Sequence, residues 1–220
     1  MHDERRFMAK TLFVGLDRDG TINVDVAHLG RNEHWKEQTV LLPSAALGIK
    51  KLKQHQLTKI IVATNQAGVA HGYLTLERVN EVNTHIDGLL QAEGAHVDAW
   101  YACPYVTTEY AREHALFPCS HWIKNNGWRK PGIGMLRQAA EDMNTTLEKC
   151  LVYFVGDRKT DVEAGINAGG KGIFIHSLAK EYIQVKALEQ QHTGRIFCAH
   201  NLVEVADIIL DDLLRVEKDL

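Results

Sequence analysis

Two aspartates, Asp17 and Asp19, stand two residues apart directly after an apolar run of strand length. In an extended backbone, side chains two residues apart point the same way, so both carboxylates can serve one divalent cation and one reacting centre. Gly20 follows and permits a tight turn. The alternatives are a solvated turn or a fragment of a calcium loop, but such a loop needs oxygen ligands where Ile22 and Val24 stand. The spacing therefore favours a catalytic pair of acids.

Three later segments also place polar side chains at or after the ends of apolar runs. They contribute Thr64, Asn65 and Gln66, then Arg129 and Lys130 before a predicted helix, and then Asp157, Arg158 and Asp161. Each segment alone is typical of an ordinary loop between a strand and a helix. Together they supply acids, a hydroxyl and a lysine at predicted strand ends, where ligands bind in open α/β sheets. We therefore expect them to share one pocket with the two aspartates.

The elements that must position these residues alternate along the chain. Apolar runs end near residues 16, 63, 102, 155 and 175, and helical spacing covers residues 43–55, 75–93, 131–143, 161–168 and 202–214. This alternation predicts an α/β fold with a parallel sheet and helices on both faces. We expect an N-terminal extension over residues 1–10, its end frayed, and a single domain over residues 11–220 with a loop insertion at 103–128.

Composition bounds the class of protein. A chain of 220 residues can bury a core without disulfides, and its four scattered cysteines predict no disulfide framework. The formal net charge of −3 gives no support for a nucleic-acid surface, and no apolar run approaches membrane-spanning length. The first eight residues lack the apolar core of a signal peptide, so we expect a cytoplasmic protein without membrane or nucleic-acid partners.

The four polar segments, in this order, resemble the phosphatases of the haloacid dehalogenase superfamily that begin with Asp-x-Asp-Gly-Thr. The resemblance runs from about Phe13 to Gly170. Residues 64–75 and 101–104 look like the branch of D-glycero-D-manno-heptose 1,7-bisphosphate and histidinol-phosphate phosphatases, although His71 stands where the heptose-type enzymes tend to carry arginine. The resemblance implies a Rossmann-like, doubly wound parallel sheet with no large cap domain and a long metal-binding-type loop after the third strand.

The resemblance also implies a role for each residue of the predicted pocket. Asp17 is the expected nucleophile, which forms an aspartyl-phosphate, and Asp19 is the expected general acid and base. Thr64 and Lys130 are expected to hold the transferring oxygens, and Mg²⁺ to bind Asp17, Asp157 and the Asp19 backbone carbonyl. The remaining matches are Asn65, Gln66, Arg129, Lys130 and Arg158 as substrate contacts, and Asp161 as an acid that orients Lys130 or a metal-bound water.

The loop at 103–128 shows no clear period and is long for an irregular connection. In the resembled branch this loop holds zinc between a Cys-x-His pair and a Cys-x-Cys pair. Cys103, Cys119 and His121 fall at matching positions, Tyr105 replaces an expected histidine, and His114 could complete a tetrahedral set. The resemblance therefore implies structural Zn²⁺; the alternative is a loop that has lost its metal.

Three functions compete at this point. The leading one is a Mg²⁺-dependent phosphomonoesterase for a small sugar or polyol phosphate, acting as a monomer or small homo-oligomer. A polynucleotide 3′-phosphatase shares the Thr-Asn-Gln-x-Gly loop, but a basic face is expected for a DNA-end enzyme and this chain is net acidic. A non-catalytic module that binds a phosphorylated ligand is disfavoured because every catalytic position is filled.

Overall fold

A six-stranded sheet forms the centre of the computed structural model, which describes residues 10–114, 120–176 and 178–218. Its strands are β1 (Thr11–Leu16), β2 (Thr58–Asn65), β3 (Ala99–Cys103), β4 (Cys150–Gly156), β5 (Lys171–Ile175) and β6 (Ile196–Ala199). They lie in the order β3-β2-β1-β4-β5-β6, and each neighbouring pair is parallel. The predicted α/β, doubly wound parallel sheet is therefore confirmed.

Helices cover both faces of the sheet. They are α1 (Trp35–Gln38), α2 (Ala45–Leu52), α3 (Leu76–Ala92), α4 (Thr108–Glu113), α5 (Gly134–Asp142), α6 (Lys159–Asn167), α7 (Ala179–Gln191) and α8 (Leu202–Lys218). The core on one face joins the sheet to α2, α3 and α8, and the other face packs against α5, α6 and α7. Strands covered on both sides need apolar residues at successive positions, which explains the continuous apolar runs in the sequence.

Several element predictions need correction. The sequence pattern indicated five strands and missed β6, and it also missed α7 before it. The helix expected from residue 131 begins at Gly134, because the preceding backbone makes a turn instead: Gly132 N donates to Arg129 O and Gly134 N donates to Gly127 O. The helix predicted from residue 161 begins two residues earlier, at Lys159.

No separate cap domain stands over the sheet within the described ranges. Between β1 and β2 the chain forms α1 and α2, and α2 packs against α8 beside the sheet. The long loop after β3 contains α4 and a short 3-10 turn, Ser120–Trp122, and a bridge from Val106 to Ile123 closes its base. None of the helices in the described ranges has the length and apolar character needed to cross a bilayer.

Some predictions lie outside the described residues. Residues 1–9 of the expected N-terminal extension and residues 115–119 of the loop, Cys119 among them, belong to this group. The division into an extension and a single domain remains a prediction.

Candidate active site

The predicted acids lie where the order of the sheet reverses. From β1 the chain builds outward through β2 to β3, then returns to place β4 on the other side of β1. Asp17 directly follows β1, where its N–H donates to Val155 O over 2.8 Å, and Asp157 directly follows β4. Crevices at such switch points are the usual ligand sites of open α/β sheets. A cavity of about 870 Å³ opens here.

Two glycines let the acidic side chains approach each other. Gly20 has a φ of +78°, and a Cβ at this position would lie 2.5 Å from Asp157 Oδ2. A Cβ on Gly156 would collide with the carboxylate of Asp161. Glycine is therefore required at Gly20 for both the turn and the contact, and at Gly156 for the contact alone.

Three buried carboxylates converge beside the cavity. Ligand oxygens of Asp17, Asp157 and Asp161 all lie within 4.8 Å of one another. Burial raises the pKa of Asp17 to about 7, with Lys130 opposing and Asp161 adding to the shift. Burial, followed by repulsion from Asp17 and Asp161, raises the pKa of Asp157 to about 7. Carboxylates forced together in this way, with oxygen as the only donor atom, fit a hard cation such as Mg²⁺.

Lys130 compensates part of this negative charge. Its Nζ lies 2.6 Å from Asp17 Oδ1 and 2.7 Å from Asp161 Oδ1, and only 3% of the residue is exposed. Burial lowers the pKa of Lys130, but the two carboxylates outweigh it and the net shift is upward. Asp161 also accepts from the Arg158 backbone N–H, so both of its oxygens have protein partners. Asp17 and Asp157, which directly follow β1 and β4, remain the expected ligands of a metal ion at this position.

Asn65 fixes the backbone that carries Lys130. Its Oδ1 accepts from Lys130 N over 3.0 Å, and its Nδ2 donates to Lys130 O over 3.2 Å. Asn65 lines the cavity, but both ends of its amide are engaged with protein backbone. Asn65, an expected substrate contact, thus lies at the cavity wall. It also holds the Lys130 backbone in place, a contact that the sequence pattern did not indicate.

Asp19 lies in a dense hydrogen-bond network. Its Oδ1 accepts from Arg18 Nε (3.1 Å) and Asn23 Nδ2 (3.0 Å). Its Oδ2 accepts from Arg18 Nη2 (2.8 Å) and Gln66 Nε2 (3.0 Å). Burial raises the pKa of Asp19, but the Arg18 guanidinium and these hydrogen bonds more than offset it and hold the pKa below its ordinary value. Gln66 Nε2 also donates to Thr64 Oγ1 over 2.8 Å, which leaves the Thr64 hydroxyl proton available to a ligand.

The cavity brings the predicted residues together from four parts of the chain. Its walls include Asp17, Asp19, Thr64, Asn65, Gln66, Arg129, Lys130, Arg158 and Asp161. Arg129 stacks over the ring of Tyr110, with 4.8 Å between the guanidinium carbon and the ring centroid. Arg158 is largely exposed and donates to Asp25 over 3.2 Å. Two cationic side chains therefore stand at the wall, and Arg158 Nε lies 3.9 Å from Oδ1 of the buried Asp157.

Sequence reasoning missed four residues that shape this site. Tyr110 and Thr107 enter the cavity wall from the loop after β3, where no period indicated a helix. Arg18 stands between the two aspartates, and a cation flanked by two acids was a usable signal. Asn83, which contacts Arg18 from α3, carries no signal in the sequence.

The predicted zinc ligands are not gathered within the described part of the chain. There, the only group of three or more histidine, cysteine or acidic side chains within 4.8 Å is the carboxylate trio. The Cys103 thiol is buried, and burial raises its pKa to about 11. His114 Nδ1 lies 2.9 Å from Tyr110 O, and His121 is exposed. Cys119 lies outside the described residues, so the complete ligand set is untested.

The raised pKa values predict a pH-dependent effect of Mg²⁺ on stability. Asp17 and Asp157 shift from 3.8 to about 7, so the metal-free folded state holds protons that the unfolded chain has lost. The stability that these two protonated acids contribute is fully present below about pH 4 and is lost as the pH rises through 7. A Mg²⁺ ion bound at these acids would replace those protons, so Mg²⁺ should raise the melting temperature at least about 3 °C more at pH 8 than at pH 5.

Thermal melts with Mg²⁺ and with EDTA at the two pH values measure this difference. Asp157→Asn is the control, because removing one ligand should abolish most of the increment at pH 8. An increment of equal size at both pH values would contradict the coupling between protons and metal.

An acid pair, a buried lysine and a cluster of three carboxylates lie together at the switch point of a Rossmann-like sheet, and the comparisons with known proteins identify the class. The family model described as "Polynucleotide kinase 3 phosphatase" matches residues 13–186. Among curated proteins, the D-glycero-D-manno-heptose-1,7-bisphosphate 7-phosphatase of Chlorobaculum tepidum is 33% identical over 195 residues, covering 87% of this chain and 88% of that protein. The D-glycero-beta-D-manno-heptose-1,7-bisphosphate 7-phosphatase of Pseudomonas putida is 30% identical over 206 residues, covering 93% of this chain and 97% of that protein.

Among solved structures, the D,D-heptose 1,7-bisphosphate phosphatase from B. bronchiseptica, in complex with magnesium and phosphate, superposes with a TM-score of 0.68. It is 25% identical, and the alignment covers 92% of this chain and 99% of that one. The chain therefore belongs to the polynucleotide kinase 3 phosphatase family of the haloacid dehalogenase superfamily, in the branch of the heptose bisphosphate phosphatases. It is a phosphoric monoester hydrolase.

Proposed function

We propose that this protein is a Mg²⁺-dependent phosphomonoesterase that releases phosphate from a small sugar or polyol phosphate, of the heptose bisphosphate or histidinol phosphate kind. The observation that carries the proposal is the Asp17 carboxylate at the carboxyl end of β1, held 2.6 Å from Lys130 at the cavity wall. The nearby acids Asp19 and Asp157 supply the two further requirements, a proton donor and a second metal ligand.

In the proposed reaction, Asp17 attacks the phosphorus atom and forms an aspartyl-phosphate while the ester oxygen leaves. Asp19 gives a proton to that oxygen and then takes one from the water that cleaves the aspartyl-phosphate; its lowered pKa makes the protonated form a minor one but its proton easy to transfer. Lys130 and the Thr64 hydroxyl hold the transferring oxygens, where fixed donors favour the spread charge of the transition state. Asp17, Asp157 and the Asp19 backbone carbonyl would hold Mg²⁺, which would neutralise charge between the nucleophile and the phosphate dianion.

The size and charge of the cavity support a small hydrophilic substrate. A volume of about 870 Å³ accommodates a phosphorylated sugar, and Arg129 and Arg158, both at the cavity wall, can bind hydroxyls or a further phosphate group of the substrate. Lys130 is held between two carboxylates at the reacting centre, so the two arginines can contact the rest of the substrate. The names of the heptose bisphosphate relatives agree with a substrate of this class.

A polynucleotide 3′-phosphatase is the second candidate, because the matching family model bears that name. Against it, the net charge of −3 offers little of the cationic surface that neutralises phosphates along a strand. The third alternative is a non-catalytic module that binds a phosphorylated ligand. It is disfavoured because acids, lysine and hydroxyl are all in place at one cavity.

A phosphate-release assay separates these functions. The purified chain is given heptose 1,7-bisphosphate, histidinol phosphate and a 3′-phosphorylated oligonucleotide, each with Mg²⁺ and with EDTA. We expect Mg²⁺-dependent release from one of the small phosphates and little from the oligonucleotide. Preferred release from the oligonucleotide would replace the proposal with the second candidate, and no release from any substrate would favour the third.

We also propose that the loop after β3 holds structural Zn²⁺ through Cys103, Cys119 and His121, with His114 as a candidate fourth ligand. The support is the resemblance and the preference of thiolate and imidazole for zinc. If the ion is present, elemental analysis of protein purified without chelators should find close to one zinc per chain, and Cys119→Ser should lower it. The control is Cys198→Ser, because Cys198 lies in β6, far from this loop. Zinc-free protein would refute the site.

Location and assembly remain predictions. We propose a cytoplasmic enzyme that acts as a monomer or small homo-oligomer and binds a small phosphorylated metabolite, with no nucleic-acid or membrane partner. The acidic net charge and the ordinary soluble composition support this assignment.

A further inference from the structure

Arg18, between the two catalytic acids, is almost completely buried. Only 1% of the residue is exposed, and it is among the largest fully buried side chains in the described part of the chain. A buried arginine is expensive to desolvate unless its donors are paired. Its partners are Asp19, through Nε and Nη2, and Asn83 Oδ1, which accepts from Nη1 over 2.8 Å. The guanidinium thus joins the proposed general acid to a residue 65 positions along the chain.

Asn83 lies on a rigid support. It is 5% exposed within α3, whose neighbouring residues Val82 and Ile86 belong to the main hydrophobic core. Asn83 is not among the residues that line the cavity. A chain of contacts therefore runs from the packed helix through Asn83 and Arg18 to the carboxylate of Asp19, without passing through the substrate space.

The geometry of the Arg18–Asp19 contact controls direction as well as charge. Two nitrogens of one planar guanidinium meet the two oxygens of one carboxylate, at 3.1 and 2.8 Å, so the plane of the carboxylate is fixed. A general acid acts only when its proton is aimed at the leaving oxygen. Asp17, in contrast, makes its side-chain contact with Lys130, and none of its hydrogen bonds comes from Arg18.

We propose that Arg18 and Asn83 are positioning residues that aim the Asp19 carboxyl at the leaving-group oxygen. The inference rests on the proposed phosphatase function and adds to it a determinant of which esters are cleaved. An alkyl phosphate leaves as a poor alkoxide and needs the proton of Asp19. A nitrophenyl phosphate leaves as a stable phenolate and needs it far less. If the Asp19 carboxyl is less firmly oriented, kcat/KM should therefore fall mainly for alkyl esters.

The test compares two esters in Asn83→Ala. With Mg²⁺ present, kcat/KM is measured for glycerol 2-phosphate and for p-nitrophenyl phosphate, because kcat/KM reports steps up to the aspartyl-phosphate and excludes its later hydrolysis. We expect a loss of at least about tenfold for the alkyl ester and less than about threefold for the aryl ester. Asn80→Ala, on the exposed side of α3, should change neither.

Arg18→Lys provides a second variant in case Asn83→Ala does not fold, because it keeps the positive charge and removes the fork. It should show the same preferential loss with the alkyl ester. Equal losses with both esters, or no loss with either, in a folded variant would overturn the positioning role. If the wild-type chain cleaves neither ester nor any substrate of the phosphate-release assay, the proposed function itself fails, and that outcome is distinguishable from failure of the positioning role.

Discussion

Replacing Asp17 by asparagine should abolish turnover while leaving the protein folded. The amide keeps the shape of the side chain but loses the charge that attacks phosphorus and contributes to the metal position. We expect kcat to fall at least about a thousandfold, the scale typical of removing a covalent nucleophile. Stability should change little, because Lys130 keeps its ion pair with Asp161 and one of three crowded acids is neutralised.

Three measurements test the nucleophile assignment. Phosphate release gives the loss of turnover, a thermal melt verifies the fold, and mass spectrometry after acid quenching seeks the phosphorylated Asp17 in wild-type protein alone. Asp211→Asn, an exposed acid on α8, is the matched control and should behave as wild type. Activity within about tenfold of wild type, in folded and pure Asp17→Asn protein, would remove Asp17 from the nucleophile's role.

Much of this site could be predicted because its residues are tied to local sequence signals. Asp17 and Asp157 directly follow β1 and β4, and a parallel sheet brings the carboxyl ends of all its strands to one edge. The apolar run identifies the strand, and the polar residue after it identifies the position. The same reasoning located Thr64, which lies within the last two residues of β2.

The elements that were missed lack such signals. In α7 the only buried residue is Val185, so the helix has no apolar stripe from which its period can be recognised. β6 is a four-residue strand with two half-buried positions, too short for a periodic pattern. The loop helix α4 is also short, at six residues.

Contacts between distant segments could not be predicted for a different reason. The bond from Arg18 to Asn83 depends on how α3 is rotated against the sheet, and the bracing of Lys130 by Asn65 depends on a turn 65 residues away. Neither partner is marked by its own neighbours in the chain. From a single sequence, the expected reacting groups of this site can therefore be predicted more readily than the residues that hold them in place.

Lys130→Met should destabilise the protein more than any other single change at this site. Lys130 Nζ pairs with Asp17 and Asp161 in a region where all three residues are buried. Removing one partner of a buried pair leaves uncompensated charge, which typically costs about 3–5 kcal/mol in the free energy of unfolding. Turnover should also fall by at least about a hundredfold, because the cation that holds the transferring oxygens is gone.

A double substitution separates these two effects. In Lys130→Met combined with Asp161→Asn, the buried pair is replaced by an apolar side chain and a neutral amide that can still accept from the Arg158 N–H. The free energy of unfolding, measured by urea titration without metal, should recover part of the loss, since replacing a buried ion pair by neutral groups is often close to neutral while Asp17 still lacks its cation. Turnover should remain as low as in Lys130→Met, because the double variant still lacks the ammonium. Recovery of activity together with stability would mean that Lys130 acts only by neutralising Asp161, and the proposed role at the transferring phosphoryl group would have to be withdrawn.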